Sequence, residues 1–211
     1  GRLARWTADP DIILDGWWFW DWAESRELVK SIDPESGAIL LEPPFHNYGY
    51  RAGQPFRVTN LFSEIDQPGE WYLDRKTLSL YVHEQDGPPG GLRLSLAGFP
   101  AMVMENVGHV RIQGIDWSGG ALDAIRLKNC RNVIIEGCRI SRFGGDGIVI
   151  DDGSACGVVS CDIFLTGRGG VVLGGGQRKS LTPGGHFVTN CHLHQLSRVD
   201  TTYTPAVLVS G

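Results

Sequence analysis

The sequence predicts an all-β fold: a parallel β-helix with three short strands per rung, preceded by a small N-terminal β-rich module. Three features predict it. An apolar block returns every 23 residues, each copy alternates apolar and polar residues with a period of two, and glycine or asparagine often stands where that alternation changes phase. A repeat of this length is too short for a globular domain and matches one rung of a solenoid.

The first apolar block sets the length of a rung. It begins at Val110 and returns at Val133, 23 residues later, and a third copy places Val158 23 residues after Ile135. A fourth copy begins at Val188, 30 residues after Val158, so this turn carries extra residues. Alternation of period two is typical of strands, and strands of successive rungs stack about 4.8 Å apart.

The alternation slips at one position in every copy, which predicts a bend between two short strands. The residues at these positions are Gly114, Gly137, Ser160 and Asn190. Glycine and asparagine tolerate the left-handed backbone that a sharp corner requires. The sequence therefore predicts a column of corners along the solenoid.

A second apolar block supplies the third strand of each rung. Its copies begin at Asp123, Asp146 and Gly169, again 23 residues apart, and residues 205–209 form the last block of a fourth rung. These blocks are too short and too rich in β-branched residues to be helices. Equivalent positions are therefore expected to lie directly over one another.

Residues 1–95 lack the rung period and are predicted to form a β-rich hairpin module that packs on the solenoid of residues 96–211. The boundary follows the Pro-Pro-Gly-Gly segment at 88–91, which breaks the chain. Residues 29–41 predict one hairpin, with two apolar runs around a Pro/Ser/Gly turn, and residues 71–81 predict another.

The repeat pattern N-V-x-I-x-G-C-x-I followed by D-G-I-x-I, seen at 132–150, resembles right-handed parallel β-helix proteins of the pectate-lyase-like superfamily. Residues 69–81 resemble a hairpin placed before the β-helix in many large secreted glycoside hydrolases and related carbohydrate-active proteins. The resemblance implies a right-handed coil, a secreted, periplasmic or extracellular location, and a polysaccharide or oligosaccharide partner. It implies no single reaction, since lyases, hydrolases, esterases, epimerases and adhesins share such rungs.

Composition narrows the classes of partner. The net charge of −5 argues against nucleic acid, and no stretch is long and apolar enough to span a membrane. The chain starts at Gly1 with no apolar signal segment and stops just after a strand block. Because a solenoid needs capped terminal rungs, we expect a piece of a longer β-helix whose remaining chain is a further partner.

Three cysteines, Cys138, Cys161 and Cys191, share one inward column. Stacked rungs bring such residues close enough for a disulfide, and a reduced ladder of small apolar side chains is the simpler interpretation. Cys130 and Cys156 fall near corners and pair with no obvious partner.

Residues 16–22 form a segment rich in tryptophan. Strand alternation would place Trp18, Trp20 and Trp22 on one face. One interpretation is a platform on which sugar rings stack, with Trp18 and Trp20 as predicted substrate contacts. The other is a packing seam between the two modules.

Asp123 and Asp146 are the predicted catalytic carboxylates. They occupy equivalent positions on adjacent rungs, so their side chains should lie close together, and repulsion between like charges raises one pKa. A glycosidase needs such a pair, with one group protonated to donate to the leaving oxygen and the other ionised. The structural alternative is an Asp that accepts backbone N–H bonds at a corner.

Asp151 and Asp152 enter the next corner and have two interpretations. They are either calcium ligands or part of a solvated Asp-Asp-Gly turn. Calcium requires six or more oxygens and the sequence offers two side chains here, so the turn is favoured and calcium is the one cofactor considered.

His192 and His194 point the same way from one strand. His194 is a predicted catalytic acid or base near neutral pH, and His192 a predicted substrate contact. His192 also ends an outward column with Asp116, Arg139 and Asp162, in which the first three members alternate in sign, so a surface charge ladder is the alternative. No third ligand is spaced for zinc, and no metal site is predicted.

Two long insertions, 174–185 and 197–204, flank the histidine strand in sequence. Insertions in a solenoid map to loops that commonly lie on the binding side, and cationic side chains suit a uronate or sulfated sugar. The predicted substrate-binding residues on these loops are Arg178, Lys179, Arg198 and Tyr203.

Three functions follow from this pattern. The first is hydrolysis of glycosidic bonds in a polysaccharide, favoured by the paired carboxylates and by the likeness of the hairpin to hydrolase relatives. The second is a polysaccharide lyase that takes its base and cation from Arg178, Lys179, His194 and Tyr203. The third is a non-catalytic carbohydrate-binding or structural β-helix.

Overall fold

The computed structural model describes residues 1–84 and 93–210. The chain divides into two compact units, Gly1–Leu92 and Arg93–Gly211. The Pro-Pro-Gly-Gly segment at 88–91 lies outside the described residues. Within the described ranges, no helix combines the length and apolar character needed to cross a membrane.

The first unit is a small antiparallel β module, as predicted. Its elements in chain order are α1 (Arg2–Trp6), β1 (Ile13–Gly16), β2 (Ser25–Asp33), β3 (Ala38–Leu41), β4 (Phe56–Thr59), the 3-10 turn η1 (Phe62–Glu64), β5 (Trp71–Asp74) and β6 (Ser79–Val82). Strands β3-β2-β1-β4 form one sheet in that order, and β5 and β6 form a separate pair.

Both predicted hairpins are confirmed. Strands β2 and β3 pair antiparallel with Val29 opposite Leu41, and the register shifts after Val29. Strands β5 and β6 pair with Trp71 opposite Val82, and the Asp74 carboxylate accepts backbone N–H bonds within the turn that joins them. Local turn chemistry therefore decides this part of the fold.

The second unit is a stack of short parallel strands. Its strands are β7 (Met102–Glu105), β8 (Gly108–Gln113), β9 (Asp116–Gly120), β10 (Ile125–Glu136), β11 (Arg139–Phe143), β12 (Ile148–Ser154), β13 (Gly157–Val159), β14 (Asp162–Phe164), β15 (Val171–Gly174), β16 (Phe187–Thr189), β17 (His192–His194) and β18 (Val207–Ser210). Each rung holds three strand positions, as the sequence predicts.

The strands form three parallel ladders. The first ladder contains β7, β10, β12, β15 and β18, the second contains β8, β10, β13 and β16, and the third contains β9, β11, β14 and β17. Ile112, Ile135, Val158 and Val188 are in register across four successive rungs. The predicted parallel β-helix is therefore confirmed, including the rung lengthened to 30 residues.

The core of the solenoid follows from alternation within each strand. Ile125, Ile135, Ile148 and Ile163 point inward and are fully buried. Because these positions repeat at the rung period, each apolar side chain packs on its equivalents in the neighbouring rungs, and one continuous apolar core runs through the unit.

The predicted corner column is also confirmed. Gly114, Gly137, Ser160 and Asn190 have φ angles of 68°, 58°, 50° and 53°. The turn between the second and third ladders thus requires a left-handed residue in every rung. Glycine meets this requirement without a steric cost, and serine and asparagine accept a small one.

The five cysteines are free. Cys138 and Cys161 are each 2% exposed and contribute to the core. Burial raises the pKa of the Cys161 thiol to about 11, so this side chain remains a neutral thiol at neutral pH. The reduced apolar ladder is the arrangement that the structure contains.

Candidate functional site

Asp123 and Asp146 lie at the corner that joins the third ladder to the first ladder of the next rung. We call this the aspartate corner (residues 121–124, 144–147 and 167–170). The Ala124 N–H donates to the Asp146 carbonyl over 3.1 Å, so the two aspartates stack on adjacent rungs. Their side chains are 13% and 12% exposed respectively.

One oxygen of each carboxylate serves the backbone. The Asp146 N–H donates to Asp123 Oδ1 over 2.9 Å, and the Gly169 N–H donates to Asp146 Oδ1 over 2.7 Å. Each aspartate therefore ties its own rung to the next one, which is the structural role that the sequence left open. This role occupies Oδ1 and leaves Oδ2 to face other groups.

The second oxygen of each carboxylate faces an arginine. Arg126 Nη2 lies 2.5 Å from Asp123 Oδ2, whereas Arg168 Nε lies 3.5 Å from Asp146 Oδ2. Arg168 also reaches Asp200, with its Nη1 3.7 Å from Asp200 Oδ2. The corner therefore holds three carboxylates and two guanidinium groups.

The surroundings of the Asp146 carboxyl favour its protonated form. Burial raises the pKa of the Asp146 carboxyl above its usual range, and the charge of Asp123 acts in the same direction. The Gly169 N–H bond and the Arg168 guanidinium lower this pKa without cancelling the effect of burial. Asp146 is thus suited to hold a proton.

The loop between β17 and β18 covers the aspartate corner. The Ser197 N–H donates to the Arg168 carbonyl and the Val199 N–H donates to the Gly167 carbonyl, each over 2.8 Å. Arg198 and Tyr203, both predicted to bind substrate, belong to this loop, and Tyr203 is 72% exposed. The structure therefore brings these residues to the same corner as Asp123 and Asp146.

Arg178 and Lys179 lie at a different corner. Their loop joins β15 of the first ladder to β16 of the second, and within it Gln177 and Thr182 form an antiparallel bridge on either side of Arg178 and Lys179. The residues considered for a lyase site are consequently separated from one another, because His194 lies on strand β17 and Tyr203 lies in the loop that follows it.

His192 and His194 lie on the outer face of the third ladder. Strand β17 pairs with β14 so that His192 is opposite Asp162 and His194 is opposite Phe164. Asp162 Oδ1 lies 3.3 Å from His192 Nδ1 and 3.2 Å from His194 Nε2. The sequence spacing offered no third ligand beside the histidines, but across the rungs one ligand atom each of Asp162, His192 and His194 lies within 4.8 Å of the other two.

Asp151 and Asp152 are exposed at the end of the first-ladder strand β12. Asp152 has a left-handed φ of 61°, and its Oδ1 accepts the Gly153 N–H over 2.8 Å. Asp152 is thus a left-handed residue within strand β12, and the choice between a solvated turn and a calcium site stays a prediction.

The tryptophan segment is not a strand. Strand β1 ends at Gly16, and residues 17–22 form bends and a turn, so the predicted alternation of tryptophan faces is wrong. Trp18 is only 8% exposed and belongs to the core of the first unit. The aromatic run at 17–22 has the composition of a strand, but the strand ends at Gly16 and the backbone bends directly after it.

Two of the tryptophans nevertheless share an exposed surface. Trp20 and Trp22 are 41% and 46% exposed. Their rings lie nearly parallel, at 7° and 6.2 Å between centroids, and Tyr48 meets Trp22 edge-on at 5.4 Å. We call Trp20, Trp22 and Tyr48 the aromatic platform.

Arg168 and Asp200 complete the aspartate corner and were not among the predicted site residues. Arg168 stands one rung beyond Gly145 and two beyond Leu122 in the same column. The sequence signal for Arg168 was its charge, because the equivalent positions in the two preceding rungs hold a small and an apolar residue. Asp200 had none of this kind, because its loop is outside the repeat.

The concave face of the last rung is lined by inward positions of the core, such as Val188, Leu193 and Val207. The predicted site residues do not line it. The candidate chemistry therefore lies on the outer surface of the solenoid, at its corners and on its third ladder.

A family model described as "Right handed beta helix region" matches residues 93–199. The matched range contains the aspartate corner and the histidine pair. No curated protein and no solved structure shows a significant match to the chain.

Proposed function

Because this chain belongs to the right-handed β-helix family, we propose that it is a secreted carbohydrate-active protein that hydrolyses glycosidic bonds of a polysaccharide at the aspartate corner. The observation that carries the proposal is a pair of stacked carboxyls, one with a raised pKa and the other in a close ion pair. Asp146 has a pKa raised chiefly by burial, and Asp123 pairs closely with Arg126. Glycoside hydrolysis needs one carboxyl group that donates a proton and one that is ionised.

The two carboxyls have distinct roles in this mechanism. Asp146 donates its proton from Oδ2 to the leaving glycosidic oxygen, since its Oδ1 is held by the Gly169 N–H. Asp123 acts as the carboxylate that attacks the anomeric carbon or activates water, and Arg126 donates a hydrogen bond to its Oδ2. Each role thus follows from the contacts of one oxygen.

The loop over the corner supports binding of an acidic sugar. Arg168 lies between Asp146 and Asp200, and Arg198 and Tyr203 extend from the loop that its backbone carbonyl holds in place. Guanidinium groups bind carboxylates and sulfates through paired hydrogen bonds. A uronate-containing or sulfated polysaccharide is therefore the proposed substrate class.

A second candidate function is carbohydrate binding without cleavage. It is favoured by the exposed, nearly parallel rings of Trp20 and Trp22, and by the backbone bonds that already occupy one oxygen of each corner aspartate. Aromatic faces offer an apolar surface that the C–H faces of sugars can contact.

A panel of neutral, uronate-containing and sulfated polysaccharides incubated with the whole chain tests these functions. We expect new reducing ends without the ultraviolet absorbance of unsaturated uronates. Unsaturated ends would identify a lyase and contradict hydrolysis. Binding without any new ends would contradict hydrolysis and favour the second candidate.

The aromatic platform gives a separate prediction. Replacing Trp20 or Trp22 with alanine is expected to weaken binding of the oligosaccharide that the panel identifies by about five- to tenfold, because loss of one aromatic contact costs roughly 1 kcal/mol or more. Calorimetric titration measures the change. Trp71→Ala is the matched control, since Trp71 is 63% exposed and lies on the separate hairpin. Equal losses in all three variants would exclude the platform.

A further inference from the structure

The third ladder carries a cluster of metal-ligating side chains that the proposed hydrolysis does not use. Asp162, His192 and His194 each place one ligand atom within 4.8 Å of the other two. From this cluster we propose a binding site for a first-row divalent transition metal, with Zn²⁺ as the best match.

Strand geometry explains why the three side chains converge. In β17, Leu193 packs against the core, so alternation directs His192 and His194 outward from the same strand. The parallel register places Asp162 of β14 opposite His192 and diagonal to His194. A His-x-His pair on one strand and a carboxylate one rung away therefore face a single point on the surface.

Two of the three distances between ligand atoms agree with tetrahedral coordination. Zinc bonds of about 2.0–2.1 Å at the tetrahedral angle put neighbouring ligand atoms roughly 3.3 Å apart. Asp162 Oδ1 is 3.3 Å from His192 Nδ1 and 3.2 Å from His194 Nε2. The two imidazole rings stack at 4.2 Å and 22°, so His192 must turn its ring before both nitrogens point at one ion. Its side chain is 73% exposed, so this rotation does not move the core.

The donor set determines the class of metal. Two imidazole nitrogens and one carboxylate oxygen suit zinc, cobalt, nickel or copper, whereas calcium and magnesium prefer oxygen ligands. Three protein ligands on an outer face leave the fourth position to water or to an oxygen of a ligand, which is the pattern of an open zinc site.

Neighbouring side chains hold the cluster in place. The Phe164 ring stacks on the His194 ring at 5.0 Å and 5°, and Phe164 is itself 7% exposed. Arg139 lies over the Phe164 ring at 4.8 Å and pairs with Asp116 at 3.5 Å. This packing restricts the orientation of His194, so less freedom is lost when a metal binds.

Metal titration of the whole, chelator-treated chain tests the site without any sugar substrate, so its outcome is separate from that of the hydrolysis proposal. Calorimetry with Zn²⁺ is expected to show one ion bound per chain. His192→Ala, His194→Ala and Asp162→Asn are each expected to weaken binding by at least roughly 10–100-fold. His109→Ala is the control, because His109 lies on the second ladder and contacts Arg131 and Asn132; its affinity should equal that of the unaltered chain.

Cobalt reports on the ligands directly. With Co²⁺, we expect visible absorption bands of a nitrogen and oxygen site and no ultraviolet charge-transfer band from a thiolate. A thiolate band would assign binding to cysteine and overturn the proposal. Absence of saturable Zn²⁺ binding, or binding that survives both histidine substitutions, would overturn it as well, and so would an equal loss in His109→Ala.

Discussion

Asp146→Asn is expected to lower the rate of glycosidic-bond hydrolysis by roughly 10²–10⁴-fold, the usual contribution of a general acid. Asparagine cannot donate the proton that the leaving oxygen requires. Its amide oxygen can still accept the Gly169 N–H that Asp146 Oδ1 accepts over 2.7 Å. The link between the two rungs is therefore kept while the proposed chemistry is removed.

The matched control for this variant is Asp151→Asn, which removes one carboxylate from an exposed position of the same unit. Release of reducing ends should fall with Asp146→Asn and stay unchanged with Asp151→Asn. Similar losses in both variants, or full activity of Asp146→Asn, would remove Asp146 from the mechanism. The circular dichroism spectrum of each variant checks that the fold is retained.

The raised pKa of Asp146 adds a dependence on pH. Hydrolysis needs the protonated form, so the rate should fall as pH rises through a pKa above the ordinary value for aspartate.

The raised pKa of Asp146 also affects the stability of the fold. A folded-state pKa above the unfolded one contributes stability that is present below the unfolded pKa and is lost as pH rises through the folded pKa. The free energy of unfolding of Asp146→Asn, measured relative to that of the unaltered chain, should therefore be higher at neutral pH than in acid. Urea titrations of both proteins at both pH values measure this difference.

Gly167→Ala is expected to lower the free energy of unfolding by about 3 kcal/mol, the upper part of the usual range for overpacking. A Cβ at Gly167 would overlap the carbonyl group of Gly144 in the previous rung. Neither partner is a side chain, so the strain can be relieved only if the two rungs separate. Separation would also disturb the Val199 N–H bond to the Gly167 carbonyl, which anchors the loop over the corner.

Urea unfolding of Gly167→Ala and Gly98→Ala provides the comparison. Gly98 is in the same unit, and a Cβ there would meet no atom within 4 Å, so its substitution should leave the midpoint nearly unchanged. The slope of the transition should stay constant, because both variants expose the same surface on unfolding. Equal midpoints for the two variants would mean that the corner tolerates a wider rung spacing.

The repeat predicted the solenoid because its period acts on every rung at once. One register, set by Ile112 and Ile135, determines which side chains face the core along the whole stack. The corner residues were predictable for the same reason, since a left-handed backbone at Gly114 recurs at Asn190. Hairpin 71–81 needed only local signals, an alternating pattern and a turn residue.

The site was less predictable, because it depends on departures from the repeat. Asp162 becomes a neighbour of His194 only through a diagonal contact between rungs, which a comparison of equal columns does not consider. The two insertions follow strands of different ladders, and this separates Arg178 from Tyr203 although both loops lie near the histidines in sequence. Aromatic residues after Gly16 look like a strand, but three-dimensional packing places Trp18 in the core.

The aspartate corner illustrates how a repetitive scaffold produces unlike groups. Asp123 and Asp146 descend from equivalent positions, yet the next member of their column is Gly169, which has no side chain to continue the series. The Pro205 carbonyl of the following rung occupies the space that a Cβ on Gly169 would need. Asp146 is therefore the last carboxylate of the column, and Asp123 is the one before it. The two aspartates have different neighbours for this reason, and different proposed roles follow from those neighbours.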